Sequence, residues 1–156
     1  MLQDLSPTAR QLTETFSVFR ETIAGFPPGA LDRQFGGRSQ SVTDIVSHVV
    51  AAQHRYDSLI RKTSDSPPSV PTLPSPATNL ALCGALDLAV EEALACLEAV
   101  TPDTLHDPLA YTWGDWVADS SGNPLDARWF AGQMLRHAAY HLGQVNVYAL
   151  MLASEG

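Results

Sequence analysis

Basic residues are scarce in this 156-residue sequence, with nine lysines and arginines against seventeen acidic side chains and a formal charge of −8. The nine are scattered, so the basic stripe that a nucleic-acid binder needs is missing. Long apolar runs are missing too. No window reaches the roughly 18 uninterrupted apolar residues of a membrane span. The opening "MLQDLSPTAR" has no basic segment followed by an apolar one. The expectation is therefore a cytoplasmic protein with no secretory signal and no membrane partner. Cysteine is limited to Cys83 and Cys96. Both fall on one expected helix, roughly 20 Å apart at about 1.5 Å per residue. A disulfide requires Cα atoms within about 7 Å, which excludes a bridge between them. They read as small buried hydrophobes.

What is present suits a single helical domain spanning 1–156. Apolar residues make up 45% of the chain, enough to bury a core. The first helix is expected from about Leu5 to Gly25, with Leu5, Leu12, Phe16, Phe19 and Ile23 on one face. "GFPPGALDRQFGGRS" then breaks it. A second helix opens at Ser41, a good N-cap with Asp44 three residues on, and runs to about Lys62. "TSDSPPSVPTLPSP" is a proline-rich linker. Ser75-Pro76 is expected to cap and start the third helix, which runs to about Val100. Residues 109–122, "LAYTWGDWVADSSG", suit a short hairpin or an ordered loop. Asn123-Pro124 is expected to cap the fourth helix, with Asp126 in its first turn and an end near Ala153. No strand pattern rivals these segments in length. The fold class is all-α, a four-helix bundle with an irregular segment before its last helix.

The chemistry concentrates in "RHAAYHLGQ" at 136–144. His137 and His141 are one turn apart and share a helix face with Phe130, Gln133, Met134, Gln144, Tyr148 and Met151. Two histidines on such a core-facing stripe need partners for four ring nitrogens. Neutral imidazoles converging on one divalent ion meet that need, zinc first, with nickel or iron as alternatives. The protease version of this spacing has Glu after the first His; Ala138 stands there, which excludes that general base. A third ligand must come from elsewhere. His106 lies in a loop beside Asp107 and Pro108. His54, near Asp57 and Arg61, reads as lying on the wet face of the second helix. His48 shares its face with Ile45, Ala52 and Leu59 and points to the core, so His48 is the choice. Asp44, one turn before it, either orients a ligand as a hydrogen-bond acceptor or serves only the helix N-terminus. Gln144, one turn past His141, suits a ligand or substrate contact, or packing at an interface. Trp113, Asp115 and Trp116 are placed to cover a site mouth or to pack on the bundle end.

With His48 in "DIVSHVV" and the pattern H-x-x-x-H-x-G-Q in "HAAYHLGQ", the chain resembles the DinB/YfiT-like four-helix bundle proteins over nearly its whole length. The resemblance implies a divalent metal held by His48, His137 and His141, and commonly a homodimer. It also implies activities such as metal-dependent transfer of a low-molecular-weight thiol, of the bacillithiol kind, or mycothiol-dependent isomerisation. The chain lacks the extra C-terminal domain that some of those isomerases carry, which turns the expectation toward transfer. Three neutral ligands with an open fourth position suit catalysis, with a thiol activated for attack on a small-molecule electrophile in detoxification or stress response. The alternative is a non-catalytic metal or small-ligand binding protein of stress response. A bundle without metal would need three core-facing histidines placed by chance. Leu135, Ala139, Leu142 and Leu150, with Asn146 the one polar residue among them, make the far side of the fourth helix apolar as well; a homodimer interface would cover it, with packing by the 109–122 segment as the alternative.

Overall fold

The computed structural model describes residues 1–35, 39–61, 72–107, 109, 122 and 125–155. Four helices follow one another: α1 Ser6–Ala24, α2 Val42–Ile60, α3 Asn79–Glu98 and α4 Ala127–Ser154. No strand occurs among the described residues. The all-α bundle expected from the sequence is therefore the observed fold.

Local chemistry explains each start. Pro7 sits in the first turn of α1, where its missing N–H leaves no bond unmade. Ser41 and Asp44 close the expected capping box on α2: Asp44 N donates to Ser41 Oγ at 3.1 Å, and Ser41 N donates to Asp44 Oδ2 at 3.0 Å. The α3 start differs from expectation. Thr78, not Ser75, is the cap; its extended backbone lets its hydroxyl accept from Ala81 N at 3.2 Å. The next residue, Asn79, donates through Nδ2 to the carbonyls of Ile23 and Phe26, so α3 begins where it can tie to the end of α1. The α4 start also differs. Asp126 is the cap rather than a first-turn residue, accepting from Trp129 N at 2.8 Å. His106 reaches back to the same carboxylate, Nδ1 to Oδ2 at 2.9 Å, so this connector residue serves a helix end. Asn123-Pro124, most of the proline-rich linker and most of the 109–122 segment lie outside the described residues. So do Trp113, Asp115 and Trp116.

Around the bundle, α1 packs against α3 and α4, and α2 packs against the same two helices. Helices α1 and α2 thus occupy opposite corners. The core is filled by Leu12, Phe16, Phe19 and Ile23 of α1, Ile45 and Val49 of α2, Leu82 and Leu86 of α3, and Phe130 and Met134 of α4. This arrangement gives α2 two working flanks, one against α4 and one against α3. Both carry polar clusters.

Candidate metal centre

The α2–α4 seam brings together His48, His137 and His141. Helical spacing alone sets His137 beside His141, the rings edge-to-face with centroids 4.5 Å apart. The packing of α2 on α4 adds His48, whose ring centre lies 4.9 Å from that of His137 and 4.8 Å from that of His141. The Nε2 atoms of His48 and His137 face each other at 3.0 Å. One ligand nitrogen from each ring lies within 4.8 Å of the other two. Ligand atoms around a tetrahedral zinc ion, with bonds near 2.0–2.1 Å, lie about 3.4 Å from one another, so the donor set fits such an ion.

The electrostatics keep the rings available. Burial pulls the His137 pKa down to about 4, helped by the neighbouring His141 and His48. Burial also lowers His141, against an opposing hydrogen bond from Gln144. A ring that stays neutral at pH 7 keeps a lone pair for a metal. Gln144 fixes which lone pair His141 offers. Its Oε1 lies 2.6 Å from His141 Nδ1, so Nδ1 carries the proton and Nε2 is left free. Gln144 Nε2 donates in turn to the Tyr140 hydroxyl at 3.3 Å. His137 has no such support: its Nδ1 is buried without a partner among the described residues. The Tyr56 ring stands edge-on to it, centroids 6.1 Å apart.

One expectation needs correction here, and one open alternative is decided. His48 meets the other two rings, but it is exposed rather than buried in the core. Its face was read from Ile45, Ala52 and Leu59; of these only Ile45 is fully buried, because the seam opens to solvent beside His48. Asp44 is not brought to the cluster. Its carboxylate is engaged by Ser41 N and Oγ, at 3.0 and 2.8 Å, which is the N-terminal role.

His54 is also not on a wet face. It lies against α3, with Nδ1 2.8 Å from Glu92 Oε2. Asp57 is buried beside it, 7% exposed. One donor atom each from His54, Asp57 and Glu92 falls within 4.8 Å of the others. Burial pushes the Asp57 carboxyl up to about 7; Arg61 opposes the rise and Glu92 adds to it. Of the charged neighbours that suggested a solvated face, Arg61 is exposed but Asp57 turns into the α2–α3 seam, and only the position of Glu92 on another helix reveals this. Cys96 borders the same region, its Sγ donating to the Asp57 carbonyl at 3.7 Å. Burial pushes its thiol up to about 12, so it remains a protonated, inert core residue. Cys83 is partly buried and also free.

A sequence profile of the DinB superfamily matches residues 11–145. The fold is similar to that of a DinB-like protein, YjoA, from Bacillus subtilis, with a TM-score of 0.71 at 15% identity over 94% of this chain and 92% of that one. No curated protein sequence matches.

Proposed function

The chain belongs to the DinB superfamily, and from that premise we propose that it is a divalent-metal-dependent enzyme. It transfers a low-molecular-weight thiol of the bacillithiol kind to a small electrophile, in cytoplasmic detoxification or stress response. The observation that carries this reading is the convergence of three imidazoles, two kept neutral by burial, at a seam open on the His48 side. His48, His137 and His141 hold the ion, zinc first, with nickel or iron as alternatives. When bound, the ion lowers the pKa of a coordinated thiol or water and polarises a substrate oxygen.

The chain's own residues set the conditions for that chemistry. Gln144 holds His141 in one tautomer and one orientation. Tyr140, exposed and bonded to Gln144, sits where a small substrate approaches. Exposed His48 leaves that side of the cluster accessible to a thiol cosubstrate. Val147 and Leu150 lie on an apolar, exposed stripe of α4, with Leu150 71% exposed. Leu135 and Leu142, by contrast, pack against the core. We assign the stripe to a homodimer interface.

The test is metal content by mass spectrometry on tag-free protein, followed by a thiol-transfer screen of the loaded protein against aldehydes, epoxides and antibiotics. Expected are an ion lost on His137→Ala and thiol-dependent turnover of at least one electrophile. Full metal occupancy without turnover across the panel would leave a metal-binding protein rather than an enzyme.

A further inference from the structure

The flank of α2 that faces α3 holds most of the unanswered polarity in the described chain. Six buried side-chain polar atoms lack a hydrogen-bond partner among the described residues, and four of them belong to Gln53, His54 and Asp57. Folded proteins leave few such atoms, and each one that persists calls for an explanation, a bound water or ion among them. Asp57 is the sharpest case. A carboxylate only accepts hydrogen bonds, and Oδ1 of Asp57 is buried with no donor.

We propose that His54, Asp57 and Glu92 form a second divalent-cation site, which clamps α2 to α3. Their donor atoms, one imidazole nitrogen and two carboxylate oxygens, already lie within 4.8 Å of one another. Two carboxylates match the charge of a divalent ion, which answers the orphaned Asp57 directly. The contact of His54 Nδ1 with Glu92 Oε2, at 2.8 Å, preassembles two of the three ligands across the two helices. One nitrogen and two oxygens suit zinc or manganese; calcium takes six to eight oxygens. The Glu92 side chain is 43% exposed, so the ion has an entrance and a wet side where water completes its coordination. The site shares no ligand with the three-histidine cluster. The nearer of its two ligands on α2, His54, is roughly 9 Å along the helix from His48, at about 1.5 Å per residue.

The experiment is zinc stoichiometry by equilibrium dialysis on the full chain, with folding checked by circular dichroism. Wild type should take two ions. His48→Ala/His137→Ala removes the first site and should keep one. Adding Glu92→Gln, a change at an exposed side chain, should weaken the remaining site on the order of tenfold or more. Asp57→Asn should do the same on that background. In the His48→Ala/His137→Ala protein, zinc should also raise Tm, and Glu92→Gln should abolish that rise. Zero ions in the His48→Ala/His137→Ala protein would overturn the proposal. So would an ion whose affinity and stabilisation are unchanged by Glu92→Gln and Asp57→Asn.

Discussion

Two polar clusters flank the same helix, and they handle their polarity in opposite ways. On the α4 side of α2, three imidazoles face one another with no acid among them. His137 and His141 stay neutral because burial and the neighbouring imidazoles both disfavour a proton. On the α3 side, an imidazole meets two carboxylates, and burial drives one of these toward protonation. The first cluster gathers one nitrogen from each of three rings with no carboxylate to pair them. The second already pairs His54 with Glu92 and leaves Asp57 short. The lesson is that a histidine on α2 takes its chemistry from the helix across from it. His48 and His54 point about 120° apart on that helix and so meet different partners.

The comparison breaks most visibly in activity. His141→Ala should remove the ion from the three-histidine site and reduce thiol-transfer turnover on the order of 10³-fold, as expected when several kcal/mol of metal polarisation are lost. Glu92→Gln should leave that turnover within about twofold. Comparable losses in both variants, read as kcat/KM, would mean the two clusters do not act separately.

Metal removal comes next. An ion held at a hundred times its Kd stabilises by about 2.7 kcal/mol, so a chelator should lower Tm by about 5–10 °C in a chain of this size. Differential scanning calorimetry with and without chelator reads this directly.

Among affinity effects, Gln144→Ala should weaken zinc binding to the three-histidine site about tenfold, because His141 loses the acceptor that fixes its tautomer. Competition with a chromogenic chelator measures it.

In the metal-free chain the two clusters should give opposite pH slopes. His137 titrates near 4 when folded and near 6.5 when unfolded, so in that window the unfolded chain binds more protons. Stability from this ring is present above about 6.5 and falls as pH drops toward 4. Asp57 titrates near 7 when folded, against 3.8 unfolded, so the folded chain binds more protons there. Its contribution falls as pH rises from about 4 to 7. Urea melts across pH 4–8 should show Asp57→Asn removing the decline toward neutral pH and His137→Gln removing the decline toward acid. The smallest effect is at Ser41: Ser41→Ala should cost about 1 kcal/mol of stability through the lost cap, with zinc affinity unchanged.

Much of this molecule is legible in its sequence, because helices write themselves in local patterns. The face of Leu12, Phe16, Phe19 and Ile23, the Ser41–Asp44 box and the one-turn spacing of His137 and His141 all depend on residues within a turn or two of each other. Gln144 is legible for the same reason. The starts of α3 and α4 were harder to read, since Ser75, Thr78, Asn123 and Asp126 all offer a capping oxygen. Packing chose among them: Thr78 and Asn79 sit where α3 meets the end of α1, and Asp126 is also held by His106.

By itself, the sequence determined the helical class, the histidine pair and the candidacy of His48, because short-range periodicity and residue chemistry suffice for each. Only the tertiary structure decided that His48 lies at an open edge, that Asp44 stays with its cap, and that His54 and Asp57 turn inward to Glu92. Those outcomes depend on which helix covers which flank of α2. That is a matter of long-range packing, and no local pattern along the chain encodes it.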